Sequence, residues 1–68
     1  MKFDRLKDLR EDHDLSQKKI ADIIGTEQSY YSKYETGKYM IPIDKLIKLA
    51  DYYDVSLDYI TGRSNKKN

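Results

Sequence analysis

Two helix-forming stretches follow one another between residues 16 and 38 with scarcely any chain between them, and this spacing constrains the fold more than any other feature. In the first, Ser16 precedes Ile20, Ala21, Ile23 and Ile24, apolar positions that recur at helical spacing, and Gly25 closes the run. A serine hydroxyl in that place accepts a hydrogen bond from one of the unpaired N–H groups of the first turn, so Ser16 is a good N-cap. Lys19 stands where a full capping box would carry Glu or Gln. Gly25 takes a left-handed conformation without a steric cost and so allows a sharp stop. The second stretch starts one or two residues later, near Glu27, carries Tyr31 and Tyr34 on one face, and ends at Gly37. The small Ala21 belongs where the two helices approach most closely, since a larger side chain there would push them apart.

The rest of the chain is read in the same way. Phe3, Leu6 and Leu9 repeat at helical spacing, with Asp4, Lys7, Asp8 and Glu11 on the other faces. After a loop of residues 38–42, Pro42 is tolerated at a helix start because its missing N–H would be unpaired there. Leu46, Leu49, Ala50 and Tyr53 form the next apolar stripe; Ser56 then caps a short helix that contributes Leu57 and Ile60 before Gly62. The reading is all-α: a compact five-helix domain over residues 1–62, with helices at about 3–13, 17–24, 27–36, 43–53 and 57–61. Residues 63–68 form a polar, frayed tail. A chain of 68 residues buries only roughly 60% of the surface exposed when unfolded, so the core has to be economical. There is no cysteine to supplement it with a disulfide or a thiolate metal site.

Two short helices joined by a glycine-containing turn make a helix-turn-helix unit. With Tyr31 and Tyr34 inward, Gln28, Ser29, Ser32 and Lys33 point outward. A glutamine amide both donates to and accepts from an adenine edge, and a lysine donates to guanine N7 and O6, so this face suits base readout. Net charge offers no such pointer: thirteen basic against twelve acidic side chains give +1, and any basic surface has to come from geometry. The acidic groups of the first helix are expected to form a solvated face with Arg5 and Lys7.

The segments LSQKKIADIIG, SKYETGK and KLIKLADYYDVSLDYITG, in this order and spacing, resemble the Cro/repressor-like (XRE) helix-turn-helix proteins over residues 3–61. The resemblance implies that the third helix enters the major groove of DNA while the second lies across the backbone. It implies base contacts from Gln28, Ser29 and Lys33, and phosphate contacts near Gln17, Tyr30, Ser32, Lys38 and Tyr39. Gln17 opens the second helix, where backbone N–H and side chain are both plausible phosphate donors. It further implies a partly buried ion pair between Arg10 and Glu35, and a dimer axis near Leu57, Tyr59 and Ile60, with Tyr59 the better candidate for an exposed contact. Two departures stand out. Glu27 occupies a position where the family commonly has Ser or Thr, which weakens the cap of the third helix or moves it to Thr26. The loop of residues 38–41 carries only one basic side chain, Lys38.

The expected function is sequence-specific double-stranded DNA binding as a transcriptional regulator, in the role of a repressor. The expected assembly is a homodimer, at least on DNA, at a pseudo-palindromic operator. The rival reading is a protein-interaction module, such as an antitoxin-like partner binder with weak or no DNA affinity; near-neutral charge and Glu27 favour it. No enzyme, cofactor or metal is expected. His13 lies near Glu11, Asp12 and Asp14, but helical spacing scatters these groups, and a cation at a helix C-terminus explains His13. Tyr30 and Tyr39 are left open between packing and phosphate donation. The first fourteen residues lack the apolar stretch of a signal peptide, and no run approaches the ~18 apolar residues of a membrane span. A cytoplasmic location is the expectation.

Overall fold

The computed structural model describes residues 2–68, which hold helices α1 (Asp4–Asp12), α2 (Gln17–Ile24), α3 (Gln28–Thr36), α4 (Ile43–Tyr53) and α5 (Leu57–Ile60). The expected all-α architecture is the one observed, with ends that differ from the sequence reading by no more than a residue. Packing is most extensive between α2 and α3. Helix α4 lies against α2 and α5, and α1 against α3 and α5.

Each helix contributes the apolar face that its periodicity marks. Leu6 and Leu9 come from α1, Ile20, Ala21 and Ile24 from α2, Tyr31 and Tyr34 from α3, and Leu46, Leu49, Ala50 and Tyr53 from α4. Ile41, Val55 and Ile60 complete the core. Leu6, Ile20, Ile24, Leu49 and Ile60 are fully buried. Each such side chain contributes about 1.5–3 kcal/mol relative to leaving it in water.

The helix ends explain how so little chain turns so often. The Ser16 hydroxyl accepts from the Lys19 N–H at 3.0 Å, and the Ser56 hydroxyl accepts from the Tyr59 N–H at 3.0 Å. At the other end of α2, Gly25 adopts φ 76°, and the Thr26 N–H reaches back to the Ala21 carbonyl at 2.9 Å. This is a Schellman stop, in which one left-handed residue satisfies the carbonyls that a helix end leaves free. The same stop follows α1 and α4 with aspartate in place of glycine. Asp14 has φ 55° and Asp54 φ 56°, with Leu15 N–H on the Arg10 carbonyl at 3.0 Å and Val55 N–H on the Ala50 carbonyl at 2.9 Å. Aspartate is one of the few residues with a side chain that tolerates this conformation.

Two expectations for the first helix and the tail are corrected. Arg5 does not belong to a solvated face: its Nη1 donates to the Tyr59 carbonyl at 2.7 Å and to the Ser64 carbonyl, and its Nη2 donates to Asn65 Oδ1 at 2.9 Å. Its guanidinium also lies 4.0 Å from the centre of the Tyr59 ring. Nor is the tail frayed. The Arg63 N–H donates to the Asp58 carbonyl at 2.7 Å, and the Lys67 carbonyl accepts from the Ser56 N–H at 2.6 Å, so the segment folds back over α5. A guanidinium with several donors in a rigid fork can satisfy the carbonyls of such a turn, which a helix-face reading of Arg5 overlooks. Among the described residues, no helix is long and apolar enough to cross a membrane.

Candidate nucleic-acid interface

Helix α3 is divided lengthwise. Tyr31, Tyr34 and Glu35 are buried, whereas Gln28, Ser29 and Tyr30 are exposed and Ser32 and Lys33 half-exposed. Gln28, Ser29, Ser32 and Lys33 span about 140° of arc at 3.6 residues per turn, so one side of the helix presents all four. Glu27 occupies the N-cap position, but its side chain makes no capping bond. Neither Glu27 nor Thr26 therefore supplies the cap considered for it, and the first N–H groups of α3 are left to the surroundings.

The buried side of α3 is fixed to α1 and α2 by an ionic cluster. Arg10 Nε donates to Glu35 Oε2 at 2.7 Å and Arg10 Nη2 to Oε1 at 3.2 Å, a two-pronged pair, while Arg10 Nη1 donates to the Leu15 carbonyl at 3.0 Å. Both side chains are largely removed from solvent, at 14% and 4% exposure. Burial pushes the Glu35 carboxyl up, but hydrogen bonds from Arg10 and Gln17 and the nearby Tyr31 hydroxyl outweigh it and hold the group below the usual carboxylate range. The Tyr31 hydroxyl lies close enough to favour the carboxylate without a hydrogen bond of standard geometry. Burial first, and then the Glu35 charge, raise Tyr31 beyond the ordinary phenol range.

Gln17 is where the structure departs from the expected phosphate contacts. Its Nε2 donates to Glu35 Oε1 at 3.2 Å, so the side chain turns inward to the ionic cluster. Its backbone N–H, in the first turn of α2, keeps the position expected of it. The α2–α3 unit is also held from α4, where Lys45 Nζ donates to the Ile24 carbonyl at 3.3 Å, a cation on the last turn of α2.

Tyr30, Lys33 and Tyr39 form a group of their own. The two rings lie 6.0 Å apart with their planes inclined by 33°, and Lys33 Nζ sits 5.5 Å from the Tyr30 centre and 5.1 Å from the Tyr39 centre. The Lys33 carbonyl accepts from the Tyr39 N–H at 3.2 Å and from Thr36 Oγ1 at 3.2 Å. Both tyrosines remain about half exposed, and Lys38 is exposed. Of the residues expected to meet DNA, Tyr30, Lys33 and Tyr39 are thus brought together, with Gln28, Ser29 and Ser32 on the same helix, while the Gln17 side chain on α2 turns away.

The residues expected at a dimer axis separate differently from the reading of their helix. Ile60 is fully buried and seals the core, and Tyr59 is half-buried beneath the Arg5 guanidinium. Leu57, not Tyr59, is the exposed one, and it borders a groove with Phe3, Ile43 and Leu46. His13 closes α1, its Nδ1 donating to the Leu9 carbonyl at 2.8 Å and its ring 5.0 Å from that of Tyr53. Sequence reasoning placed Arg5 on the wrong surface and passed over Lys45 and the meeting of Lys33 with Tyr30 and Tyr39. Only the three-residue step from Tyr30 to Lys33 carried a signal, and only for that one contact.

The helix-turn-helix family model matches residues 6–60. The chain belongs to this family, in the XRE-type group that its motifs resemble. It is similar to the uncharacterized HTH-type transcriptional regulator YobD of Bacillus subtilis, 47% identical over 58 residues, covering 85% of this chain and 52% of that protein. It is also similar to the cryptic phage CTXphi transcriptional repressor RstR of Vibrio cholerae, 35% identical over 60 residues, covering 88% of this chain and 54% of that one. A crystal structure of a transcriptional regulator from Listeria innocua superimposes with a TM-score of 0.82 at 31% identity, covering 85% of this chain and 54% of that chain. The chain thus spans about half the length of each of these three relatives.

Proposed function

We propose that this chain binds double-stranded DNA sequence-specifically and regulates transcription as a repressor, with α3 in the major groove. The observation that carries the reading is the exposed side of α3, where Gln28, Ser29 and Lys33 stand free of the core in a member of the helix-turn-helix family. Gln28 suits an adenine edge and Lys33 a guanine edge, with Ser29 beside them. Ser32, Lys38, the Gln17 backbone N–H and the Tyr30 and Tyr39 hydroxyls meet phosphates and set the register of the helix on the duplex. The relatives named as transcriptional regulators and as a phage repressor support the regulatory role. No cofactor is needed for it, and the cytoplasm is where it takes place.

One α3 helix reads only a few base pairs, too few to select a site in a genome. The chain therefore acts as a homodimer on a pseudo-palindromic operator, with half-site centres about 10–10.5 base pairs apart. Leu57 is the contact nearest the dimer axis. Selection of bound duplexes from a random pool tests the reading, and a palindromic consensus is the expected outcome. Gln28→Ala should then relax preference at one base pair by about 1–3 kcal/mol and leave the others intact. Inserting five base pairs between half-sites should abolish cooperative binding; undiminished cooperativity rules out the two-fold arrangement.

The rival reading, a protein-interaction module, is favoured by the exposed Glu27 carboxylate at the start of α3 and by a net charge of only +1. A carboxylate there opposes an approaching phosphate. Glu27→Ser should strengthen DNA binding if the first reading holds, and no enrichment of any duplex by the wild-type chain would favour the rival.

A further inference from the structure

Lysine is a poor reader of bases unless something orients it. Its ammonium is a compact charge on a long flexible stem, drawn to any phosphate as readily as to a guanine edge. In this chain, Lys33 is not left to roam. Tyr30 precedes it by three residues on the same helix, which places the two side chains side by side on the helix surface. Tyr39 arrives from the loop after α3 and donates its N–H to the carbonyl of Lys33 itself, at 3.2 Å. The second ring is thus tied to the residue it covers. Ring centres at 5.5 and 5.1 Å from Nζ lie within the ~6 Å over which an aromatic face attracts a cation.

We infer that Tyr30 and Tyr39 are positioning residues that hold the Lys33 ammonium at the apex of a wedge, against both rings and to one side of them, so that it is presented to a base edge in one orientation. The role rests on the proposed DNA binding and is separate from phosphate donation by the two hydroxyls. The wedge takes up one side of the ammonium and leaves its donors toward the open side. Such fixing matters more in a chain with a net charge of +1 than in a strongly basic one, because less of the binding here can come from sequence-independent attraction to phosphates and base contacts carry a larger share. The consequence is a division of labour within each tyrosine, the hydroxyl contributing to affinity and the ring to specificity.

Two double variants separate these parts: Tyr30→Phe with Tyr39→Phe keeps both rings and removes the hydroxyls, and Tyr30→Leu with Tyr39→Leu removes the rings. Both positions are about half exposed, so neither pair should unfold the chain, and thermal melts matching the wild type check this before binding is compared. In the free protein, the Lys33 side-chain methylene resonances should be displaced upfield by the rings in the wild type and the Phe pair, and not in the Leu pair. On the selected duplex and its single-base variants, the Phe pair should weaken binding evenly while keeping the ratio between right and wrong base. The Leu pair should lose about tenfold of that ratio at the base pair whose preference Lys33→Ala abolishes. A Leu pair that discriminates as well as the wild type overturns the positioning role while DNA binding stands. A wild-type chain that selects no duplex overturns the DNA-binding reading and the role with it, and the Lys33 resonances still report whether the wedge forms.

Discussion

Gly37 stops α3 directly against Lys2, so closely that a Cβ at position 37 would lie 2.8 Å from the Lys2 Cβ. Gly37 also has φ 83°, in the left-handed region. Two separate demands for glycine therefore coincide at the point where the chain leaves α3 for the loop that carries Lys38 and Tyr39. Gly25 meets only one of them, since its φ is 76° and nothing lies within 4 Å of an added Cβ.

Alanine substitution should distinguish these two positions. Gly25→Ala is expected to cost about 1–2 kcal/mol, the left-handed penalty alone. Gly37→Ala should cost more, because Lys2 has to move away as well. Denaturant unfolding of the two variants side by side measures the difference, and equal costs would show that the Lys2 contact yields freely.

For the Arg10–Glu35 pair, removal of either partner strands a charge in a place from which water is largely excluded. Arg10→Ala or Glu35→Ala should destabilise by about 3 kcal/mol, and replacing both with apolar residues should be milder. A double-mutant cycle reads the coupling. Because the folded Glu35 carboxyl is held below its ordinary range, its contribution is fully present above about pH 4.5 and is lost as pH falls through the folded value. The stability gap between wild type and Glu35→Gln should accordingly narrow under acid. A gap independent of pH would mean that the carboxylate charge contributes nothing.

Tyr53 carries a hydroxyl that is buried without a hydrogen-bond partner among the described residues. Tyr53→Phe should be neutral or stabilising by up to about 1 kcal/mol, since nothing is lost but the desolvation of that hydroxyl. Burial, then the Glu35 charge, raise Tyr53 above the ordinary phenol range, so the folded chain keeps a proton that the unfolded chain releases near pH 10. Stability therefore falls as pH rises past that point. The fall should be shallower in Tyr53→Phe, measured by thermal melts across the alkaline range.

What the sequence made legible is what local chemistry decides. Ser16, Gly25, Ser56 and Gly37 punctuate helices through bonds to residues a few positions away, and the apolar stripes of α1, α2 and α4 repeat often enough to mark the inner face. Asp14 and Asp54 act as left-handed stops without announcing it, because aspartate is as common on helix surfaces as at their ends. Helix α5 has only four residues, too few for a period to show that Ile60 turns in and Leu57 out. The exposed side of α3 could be foreseen from Tyr31 and Tyr34, but the Tyr39 wall beside Lys33 could not, since it depends on how the loop returns. The inward turn of the Gln17 side chain is hidden for a related reason: its distance from Glu35 is set by the packing of α2 on α3, not by spacing along the chain.

The Arg5 bonds to the carbonyls of Tyr59 and Ser64 join residues 54 and 59 positions apart. Most other connections in the chain are local, and chains of that kind fold quickly. A contact between the two ends closes a loop of nearly the whole chain, at a high cost in chain entropy, and so is expected late in folding, after the transition state. Arg5→Ala should then leave the refolding rate nearly unchanged and accelerate unfolding, a distinction that stopped-flow kinetics can read. On this view, Arg5 acts as a latch on the lifetime of the folded chain rather than a guide to its formation.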